Sequence, residues 1–298
     1  MTRRSGIIAL AGRPNAGKST FINRALGEKI AIVSDKAQTT RTRILGVYHQ
    51  SDAQIGFLDL PGIHKPSHQM NREMMRTVRR SLNDADLVFH FIDASVVSGK
   101  GDEFAHQIIV DAGLRSIIAL NKIDLVNKHK MIPLLESLEQ RFSPLAIVPM
   151  SAKSGENVDH LIETAIPYLP ESEFLYSEDD LTDQPLIFMA QEFIREKILH
   201  FTKQEIPHAV AVSIDAFEWD DAESTQFVAA RIWVERPSQR SILLGAGGSM
   251  IKKIRQAAQR SLRDLLEKKV VLELYVSVEK DWRNKVEKLE ALKLRLPD

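Results

Sequence analysis

The stretch Gly12-Arg13-Pro14-Asn15-Ala16-Gly17-Lys18-Ser19 fits the pattern G-x-x-x-x-G-K-[ST] of a phosphate-binding loop. The apolar run 7–11 before it predicts a buried strand, and residues 20–26 after it predict a helix. Glycines let successive backbone N–H groups turn toward one phosphate, and the helix that follows adds its positive amino end. In such a loop Lys18 reaches the β- and γ-phosphates and the Ser19 hydroxyl binds Mg²⁺. The flanking elements argue against the alternative, a chance glycine-rich turn.

A second candidate metal-binding segment follows two strand-like runs at 44–48 and 54–58, where the chain reads Asp59-Leu60-Pro61-Gly62. An acid at the carboxyl end of a strand beside a phosphate loop can hold Mg²⁺, commonly through water. The glycine of this segment can turn its N–H toward a γ-phosphate. Residues 29–43, before these strands, are polar and lack a period, which predicts a mobile loop.

A third segment, Asn121-Lys122-Ile123-Asp124, follows another apolar run and indicates which base is bound. The Asp124 carboxylate can accept hydrogen bonds from N1–H and the 2-amino group of guanine, whereas adenine would leave that acid unpaired. Ser151-Ala152-Lys153 comes one strand and helix later, where a backbone N–H can contact guanine O6. Each short match is weak alone, because an ordinary helix cap gives the same letters. Their order after a phosphate loop favours a guanine nucleotide.

The elements that must position these segments alternate between apolar strands and amphipathic helices through the first half of the chain. That alternation predicts an α/β domain with a mainly parallel sheet, whose ligands sit at the carboxyl ends of the strands. The 298 residues are 44% hydrophobic with a formal net charge of zero, so any nucleic-acid surface must be local. The absence of cysteine excludes disulfides and thiolate metal sites and fits a reducing compartment. No apolar run approaches the length that a bilayer requires.

In the second half we predict the element order α-β-β-α-α-β, with Gly245-Ala246-Gly247-Gly248 between the two central helices. The helix after this turn carries several cations, among them Lys252, Lys253 and Arg255. A packing corner with a solvated basic face is the alternative to a nucleic-acid site.

These four segments of the first half, together with the Thr39-Thr40 pair in the 29–43 loop, resemble the five guanine-nucleotide motifs of translation-factor-class GTPases. The resemblance implies that Thr40, with Thr39 as the alternative, closes on Mg²⁺ when GTP is bound, and that 34–41 and 62–69 are the two switch segments. It implies catalytic roles for Asn15, Lys18, Thr40 and Gly62, and Mg²⁺ binding by Ser19, Thr40 and, through water, Asp59. The nucleotide-binding residues that it implies are Gly12, Arg13, Pro14, Asn15, Ala16, Gly17, Lys18, Ser19, Thr20, Asp59, Leu60, Pro61, Gly62, Ile63, Asn121, Lys122, Asp124, Ser151, Ala152 and Lys153.

Two residues of this set bear on the rate of hydrolysis. Ile63 stands where many GTPases place a water-orienting glutamine, and an alkyl side chain cannot polarise water. We therefore expect slow hydrolysis without an activator. In the GTPases that this chain resembles, an asparagine at the position of Asn15 helps to hold K⁺; the alternative is a turn-forming residue.

The second half resembles a type II KH domain, a module for single-stranded RNA. The implied RNA contacts are Ile242, Gly245, Ala246, Gly247, Gly248, Ile251, Lys252, Lys253 and Arg255. Leu243 and Ile254 are added as candidates for the apolar wall of the groove. Ala246 departs from the pattern, because a basic residue is frequent there, so we expect weaker phosphate attraction at the turn.

Together these parts predict a GTPase domain at 1–170, an acidic linker at 171–184 and a KH domain with a C-terminal helix at 185–298. This pairing resembles a family of bacterial ribosome-assembly GTPases. That resemblance implies a cytoplasmic protein that binds 16S rRNA near its 3′ end, assists assembly of the 30S subunit and needs no obligate protein partner. It also allows peripheral association with the inner face of the cell membrane. The alternatives are a regulatory GTPase whose second domain binds protein or membrane, and a scaffold without turnover.

Overall fold

The computed structural model describes residues 3–127, 129 and 131–295. The chain divides into two compact units. The first contains the residues through Ala31, then Ala37–Ser67 and Asn71–Asp183. The second contains Ile32–Lys36, His68–Met70 and the chain from Gln184 onward.

The first unit is built on a six-stranded sheet of order β2-β3-β1-β4-β5-β6. Its elements are β1 (Arg4–Gly12), α1 (Lys18–Leu26), β2 (Ile44–His49), β3 (Ala53–Asp59), α2 (Gln69–Asn83), β4 (Leu87–Asp93), α3 (Lys100–Asp111), β5 (Ser116–Asn121), α4 (Met131–Phe142), β6 (Ala146–Pro149) and α5 (Val158–Ala165). All neighbouring strands are parallel except the β2–β3 hairpin. The structure confirms the predicted mainly parallel sheet.

Both faces of this sheet are covered, which explains why its central strands are continuously apolar. One face packs on α2 and α3, in a cluster that includes Leu60, Val78, Val88 and Ile109. On the other face Phe21 of α1 meets Phe57 edge to face, with ring centroids 5.3 Å apart. Because β1, β3, β4, β5 and β6 run parallel, the segments that follow them lie along one edge of the sheet.

The segment expected to be a linker makes specific contacts within the first unit. The buried Gln54 side chain of β3 accepts the N–H groups of Leu175 (2.7 Å) and Tyr176 (2.9 Å) and donates to the Tyr176 carbonyl (2.8 Å). Further along, the Leu181 carbonyl accepts the Val47 N–H at 2.9 Å, on the open edge of β2. Residues 171–183, named the strap below, therefore cover an edge of the sheet that would otherwise be unpaired.

The second unit has a three-stranded sheet of order β7-β8-β9, antiparallel between β7 and β8 and parallel between β8 and β9. Its elements are α6 (Leu186–Phe201), a short α7 (Ile206–Ala209), β7 (Ala211–Asp220), β8 (Thr225–Val234), α8 (Pro237–Leu244), α9 (Ser249–Leu266), β9 (Lys269–Val278) and α10 (Val286–Ala291). The predicted α-β-β-α-α-β order is confirmed, with α7 inserted. Helices α6 and α9 cover one face of this sheet, and the core there includes Ile194, Val228, Ile254 and Leu272.

The C-terminal tail packs within the second unit. Trp282 is fully buried and its indole N–H donates to the Ala209 carbonyl at 2.9 Å. The sequence predicts one helix with an apolar stripe of Trp282, Val286 and Leu289. The structure instead has a 3-10 turn at Trp282–Asn284 followed by α10, and leaves Val286 exposed.

Candidate functional site

The loop between β1 and α1 depends on two glycines with positive φ. Gly12 has φ 147°, and a Cβ there would lie 2.4 Å from the Phe91 carbonyl oxygen. Gly17 has φ 99°, and its Cβ would lie 2.0 Å from the Asn121 amide nitrogen. Helix α1 starts directly after Gly17, so the N–H groups of its first turn have no acceptor within the helix. These close approaches leave room only for glycine at positions 12 and 17.

Lys18 lies folded into this loop. Its ammonium group donates to the carbonyls of Arg13 (3.2 Å) and Gly12 (3.4 Å), and the side chain is buried. Burial lowers the pKa of Lys18, while the negative charge of Asp59 opposes that shift. The cation is thus held where a phosphate oxygen would be a stronger partner than a carbonyl.

Three oxygen-bearing side chains meet beside Lys18. The Ser19 hydroxyl lies 2.6 Å from Asp59 Oδ2 and 2.9 Å from the Thr40 hydroxyl, which is 3.3 Å from the same carboxylate oxygen. Burial raises the pKa of Asp59, against the opposing effects of Lys18 and the two hydroxyls. Asp59 Oδ1 is buried and has no hydrogen-bond partner. A hard divalent cation suits this set of oxygens.

Gly62 and Ile63 lie directly against the phosphate loop. A Cβ on Gly62 would come within 2.7 Å of Pro14, so the backbone of this segment touches the loop. The Ile63 N–H donates to the Gly12 carbonyl at 2.9 Å, while its side chain is buried in the apolar core beneath. Ile63 therefore presents only its backbone at the loop.

Two polar side chains that sequence reasoning missed lie next to this segment. His64 Nδ1 is 2.7 Å from the Gly62 carbonyl oxygen, which makes Nδ1 the donor, and His64 Nε2 is 3.4 Å from the Gln38 amide nitrogen. Gln38 has a positive φ of 63°. The contact joins the 34–41 and 62–69 segments, and no local pattern pointed to it.

Asn121 ties three separate segments together. Its amide nitrogen donates to the Ala16 carbonyl at 2.7 Å, and its amide oxygen accepts the Ala152 N–H at 2.9 Å. Both bonds are buried. The phosphate loop, the 121–124 segment and the 151–153 segment are therefore held in register by one side chain.

The neighbours of Asn121 are fixed by ion pairs and hydrogen bonds. The Lys122 ammonium group lies 2.6 Å from the Asp93 carboxylate at the end of β4. Burial alone would raise the pKa of Asp93, but hydrogen bonds from Lys122 and Ser95 hold that pKa below its usual value. Arg24 of α1 donates to the Lys153 carbonyl at 2.7 Å. An aspartate closing a buried strand is the signal that could have pointed to Asp93.

The remaining predicted residues are placed less tightly. Asp124 is exposed, in the 3-10 turn Ile123–Leu125, with its carboxylate available to a ligand. The Arg13 guanidinium lies 3.4 Å from the Asp102 carboxylate of α3. Asn15 is exposed with φ 63°. Thr20 is half-buried at the start of α1, while Leu60 and Pro61 are buried between Asp59 and Gly62.

In the second unit the glycine turn separates α8 from α9. Gly245 has φ 70°, and a Cβ there would lie 2.8 Å from that of Met250; Gly247 and Gly248 also have positive φ. The side chains of Lys252, Lys253 and Arg255 are exposed on the first turns of α9.

The apolar residues near this turn divide into two groups. Ile242 is 46% exposed and Ile251 is half-buried, so both are accessible beside the turn. Leu243 and Ile254 are fully buried in the core. Their assignment to a base-receiving wall is therefore wrong, because their side chains pack into the core of the second unit and are closed to a ligand.

Comparison with known proteins supplies the family. The model of the family described as "50S ribosome-binding GTPase" matches residues 7–122, and that described as "KH domain" matches residues 205–283. GTPase Era of Staphylococcus haemolyticus (strain JCSC1435) is 45% identical over 283 residues, covering 95% of this chain and 94% of that protein.

Two solved structures agree over nearly the whole chain. One is a crystal structure of Era in complex with MgGDPNP and nucleotides 1506–1542 of 16S ribosomal RNA. It gives a TM-score of 0.96 at 36% sequence identity, and the match covers 99% of this chain and 100% of that chain. A variant of Aquifex aeolicus Era bound to GDP.AlF4⁻ gives 0.94 at 36% identity, covering 98% and 100%. With a guanine-nucleotide unit and a KH unit in the same order, the chain belongs to the Era family of GTPases.

Proposed function

We propose that this GTPase is a switch that binds 16S rRNA near its 3′ end and assists assembly of the 30S subunit. The observation that carries the proposal is the pairing, on one chain, of the Ser19–Thr40–Asp59 oxygen cluster beside a phosphate loop with a glycine turn that opens a cationic helix. The family description names the 50S subunit, whereas the RNA bound to the similar Era structure comes from 16S rRNA, which favours the small subunit.

On the nucleotide side, the loop amides and Lys18 hold the phosphates, and Asp124 selects guanine. The Asp59, Ser19 and Thr40 side chains would hold Mg²⁺, which supplies charge neutralisation on the phosphate oxygens when bound. The hydroxyl placement supports Thr40 over Thr39 as the switch residue. The backbone of Gly62 lies against the phosphate loop, since a Cβ there would come within 2.7 Å of Pro14, and the Gly62 N–H is suited to a γ-phosphate oxygen.

Hydrolysis is expected to be slow without help, because the buried Ile63 side chain cannot orient water. We propose that Asn15 contributes to a K⁺ site that supplies the missing positive charge. Replacing Na⁺ by K⁺ should then raise GTP turnover by about tenfold or more, since a cation at the transferring phosphate stabilises the charge that develops there. The Asn15→Ala variant should lose this difference while retaining GDP affinity, and equal turnover in the two salts would reject the K⁺ site.

On the RNA side, the glycine turn lets a nucleic-acid backbone approach, and Lys252, Lys253 and Arg255 attract its phosphates. Ile242 and Ile251 offer apolar contact to bases. Ala246 adds no charge at the turn, so most of the attraction must come from α9. We therefore propose that the second unit binds the single-stranded segment.

Two measurements test the proposal. The protein with Mg²⁺ should bind GDP at least about a thousandfold more tightly than ADP, because adenine leaves Asp124 unpaired. Binding to the 3′-terminal segment of 16S rRNA, measured by filter retention, should weaken steeply between about 50 and about 300 mM salt, because cations that neutralise phosphates release counterions. The Lys252→Glu/Lys253→Glu variant should lose this binding, and Lys268→Glu/Lys269→Glu, with the same charge change in the same unit, should keep it. Equal GDP and ADP binding, or RNA binding indifferent to Lys252 and Lys253, would overturn the proposal.

We further propose a cytoplasmic location, where ribosomal subunits are assembled. Within the described residues, no helix combines the length and the apolar character needed to cross a bilayer. If the filter-binding series shows no RNA binding, the alternative is favoured, in which the second unit binds a protein or a membrane surface in place of RNA.

A further inference from the structure

The hairpin that joins β7 to β8 carries negative charge on the second unit. Between Lys203 and Arg231 the chain has no lysine or arginine, yet it has five acids within 215–223. One of them, Asp215, pairs with Arg231 at 2.7 Å. The other four are Glu218, Asp220, Asp221 and Glu223. In a chain of zero net charge, this hairpin is a local acidic surface.

These four acids line a cavity of about 570 Å³ at the hairpin end of the sheet. Three of its lining residues form a row across the strands, because Glu218 of β7 is opposite Phe227 of β8 and Phe227 is opposite Val271 of β9. Neighbouring strands lie about 4.8 Å apart, so the row spans about 10 Å. The volume falls within the range of about 300–1,000 Å³ that is usual for ligand sites. We call this cavity the hairpin pocket.

The hairpin pocket offers apolar surface together with its charge. Val228 and Val270 are buried in the core, so Phe227 and Val271, which adjoin them in sequence, lie on the opposite face of the sheet. Val271 is 38% exposed, and Trp219, which also lines the pocket, is 42% exposed. Aromatic and aliphatic surface beside carboxylates suits a long cationic side chain, whose methylene groups cover apolar atoms while its charge meets an acid.

Hydrogen bonds within the hairpin fix two of the carboxylates. Asp220 Oδ1 accepts the N–H groups of Ala222 (2.9 Å) and Glu223 (3.2 Å), and Asp221 Oδ1 accepts the Trp219 indole N–H at 2.6 Å. Among the residues that the structure describes, no cation forms a salt bridge with any of the four pocket acids. Groups that are already ordered lose less conformational freedom when a partner binds, which favours association.

Two lysines near the pocket offset only part of this charge. Lys268 and Lys269 are exposed, and Lys269 is opposite Thr225 at the start of β8. The Lys268 ammonium group lies 4.3 Å from the centroid of the Trp219 ring, which is a cation–π contact. Four acids against two lysines leave a net charge of about −2 around the pocket, and one aromatic ring there already contacts an ammonium group.

The same chemistry argues against two other classes of ligand. Negative charge repels a nucleic-acid backbone, so this surface differs from the cationic helix α9. A single metal ion needs several oxygen ligands around one point. In the described part of the chain, no group of three or more histidines or acids is close enough together to hold a metal ion. Acids spread around a cavity fit an extended chain that carries several cations.

We propose that the hairpin pocket binds a lysine- or arginine-rich segment of a protein of the 30S subunit. Charge complementarity carries the proposal, because proteins that neutralise rRNA phosphates are rich in these cations. The choice of partner rests on the proposed function, which brings the chain to the small subunit. The second unit would then bind RNA through the glycine turn and α9, and protein through the β7–β8 hairpin.

The first experiment uses a labelled peptide of about ten residues in which arginine alternates with alanine, long enough to cross the pocket. A matched peptide replaces each arginine by citrulline, its neutral analogue. Both are titrated by fluorescence anisotropy against the full chain with GDP and Mg²⁺, against Glu218→Gln/Glu223→Gln, and against the control Glu205→Gln/Glu287→Gln. The control removes two exposed charges of the same unit outside the hairpin.

The arginine peptide should bind the unchanged protein, and the citrulline peptide should not. Glu218→Gln/Glu223→Gln should bind the arginine peptide about fivefold more weakly, since two exposed ion pairs of ordinary strength are lost. The control should stay within about twofold of the unchanged protein. Equal binding of the two peptides, or an equal loss in the control, would overturn the inference.

The second experiment identifies the source of the segment. The same proteins, with a GTP analogue, are titrated with isolated 30S subunits and with protein-free 16S rRNA. Glu218→Gln/Glu223→Gln should bind the subunits about fivefold more weakly and the free rRNA as tightly as the unchanged protein does. Unchanged affinity for the subunits, or the same loss on free rRNA, would reject a protein partner on the 30S subunit. If the unchanged protein binds neither the rRNA nor the subunits, the proposed function itself fails, while the peptide titration still decides whether the pocket binds a basic segment.

Discussion

At the residue scale, Asn121 shows how one side chain can organise a site made of distant segments. Its amide donates to Ala16 and accepts from Ala152, both in buried positions. A buried peptide N–H or C=O that loses its hydrogen-bond partner costs about 1–3 kcal/mol. Removal of the Asn121 side chain would leave two such groups unpaired, the Ala16 carbonyl and the Ala152 N–H. The geometry of the phosphate loop and of the base-binding loops is therefore coupled through this residue.

We expect Asn121→Ala to weaken GDP binding by about 30-fold to 1,000-fold, which corresponds to about 2–4 kcal/mol for the two lost bonds. Titration with a fluorescent GDP analogue measures the change. Asn83→Ala, at an exposed helix position, serves as the control and should stay within about threefold of the parent. A GDP affinity unchanged in Asn121→Ala would show that the three segments hold their positions without the amide.

His90 is a second residue with a predictable effect, here on stability. It lies fully buried in β4, neither ring nitrogen has a hydrogen-bond partner, and its ring packs near His106 (6.1 Å) and Phe142 (5.7 Å). Burial, with the charges of His106 and Lys18 adding to it, lowers the pKa of His90 to about 3. Between pH 6.5 and 3 the unfolded chain thus binds a proton that the folded chain excludes, so stability falls as pH falls.

The variant His90→Phe should remove this acid sensitivity. The difference in free energy of unfolding between His90→Phe and the parent should shift in favour of the variant by about 2 kcal/mol between pH 7.5 and pH 5. Each pH unit below 6.5 costs the parent about 1.4 kcal/mol, whereas phenylalanine does not titrate. Hydrogen exchange of the β4 amides measures this directly; tryptophan fluorescence would not, since Trp219, Trp233 and Trp282 all belong to the second unit. Exposed His160→Gln is the control. Parallel pH profiles for His90→Phe and the parent would contradict the assignment.

At the element scale, the strap is an acidic, aperiodic segment that its hydrogen bonds make part of the first unit. Gln54 makes three hydrogen bonds to its backbone, and the Thr182 hydroxyl donates to the Leu45 carbonyl at 2.6 Å. The strap satisfies the open edge of β2, which protects that edge from pairing with other chains.

Replacing Gln54 by Leu should release the strap, because Leu keeps the bulk but accepts no hydrogen bond. The amides of Leu175 and Tyr176 should then exchange about ten to a hundred times faster, as expected for loss of about 1–3 kcal/mol of local protection. Gln50→Leu, at an exposed position of the same hairpin, should leave their exchange unchanged. Retained protection in Gln54→Leu would mean that the other contacts of the strap, among them the bonds of Leu181 and Thr182 to β2, are sufficient to hold it.

At the scale of the whole molecule, we expect GTP binding by the first unit to strengthen RNA binding by the second, and such coupling has a thermodynamic signature. If GTP tightens RNA binding by some factor, RNA must tighten GTP binding by the same factor. We expect this factor to lie between about 5 and 150, the usual range for coupled sites. Titration of a GTP analogue with and without the 16S 3′-terminal RNA measures it from one side, and RNA titration in GDP and in the analogue measures it from the other.

A charge-reversed second unit gives the control for this linkage. Lys252→Glu/Lys253→Glu should abolish the RNA effect on GTP affinity and leave GTP affinity without RNA unchanged. Equal RNA affinity in the two nucleotide states would exclude the coupling while leaving both binding activities in place.

The sequence by itself determined the order of the motifs, the mainly parallel sheet and the α-β-β-α-α-β order of the second unit. These features follow from local rules: glycine where φ is positive, period two or 3.6 in the apolar residues, and motif spacing along the chain. The phosphate loop and the glycine turn were therefore predictable to the residue.

Only the tertiary structure decided which distant side chains meet. It placed Asn121 against Ala16, paired Lys122 with Asp93, fixed the strap on Gln54, and turned Leu243 and Ile254 into the core while leaving Ile242 exposed. These contacts depend on which strands become neighbours and how the helices rotate as they pack. No stretch of sequence shorter than a whole unit carries that information, because the energy of each contact is realised only when both partners are buried together.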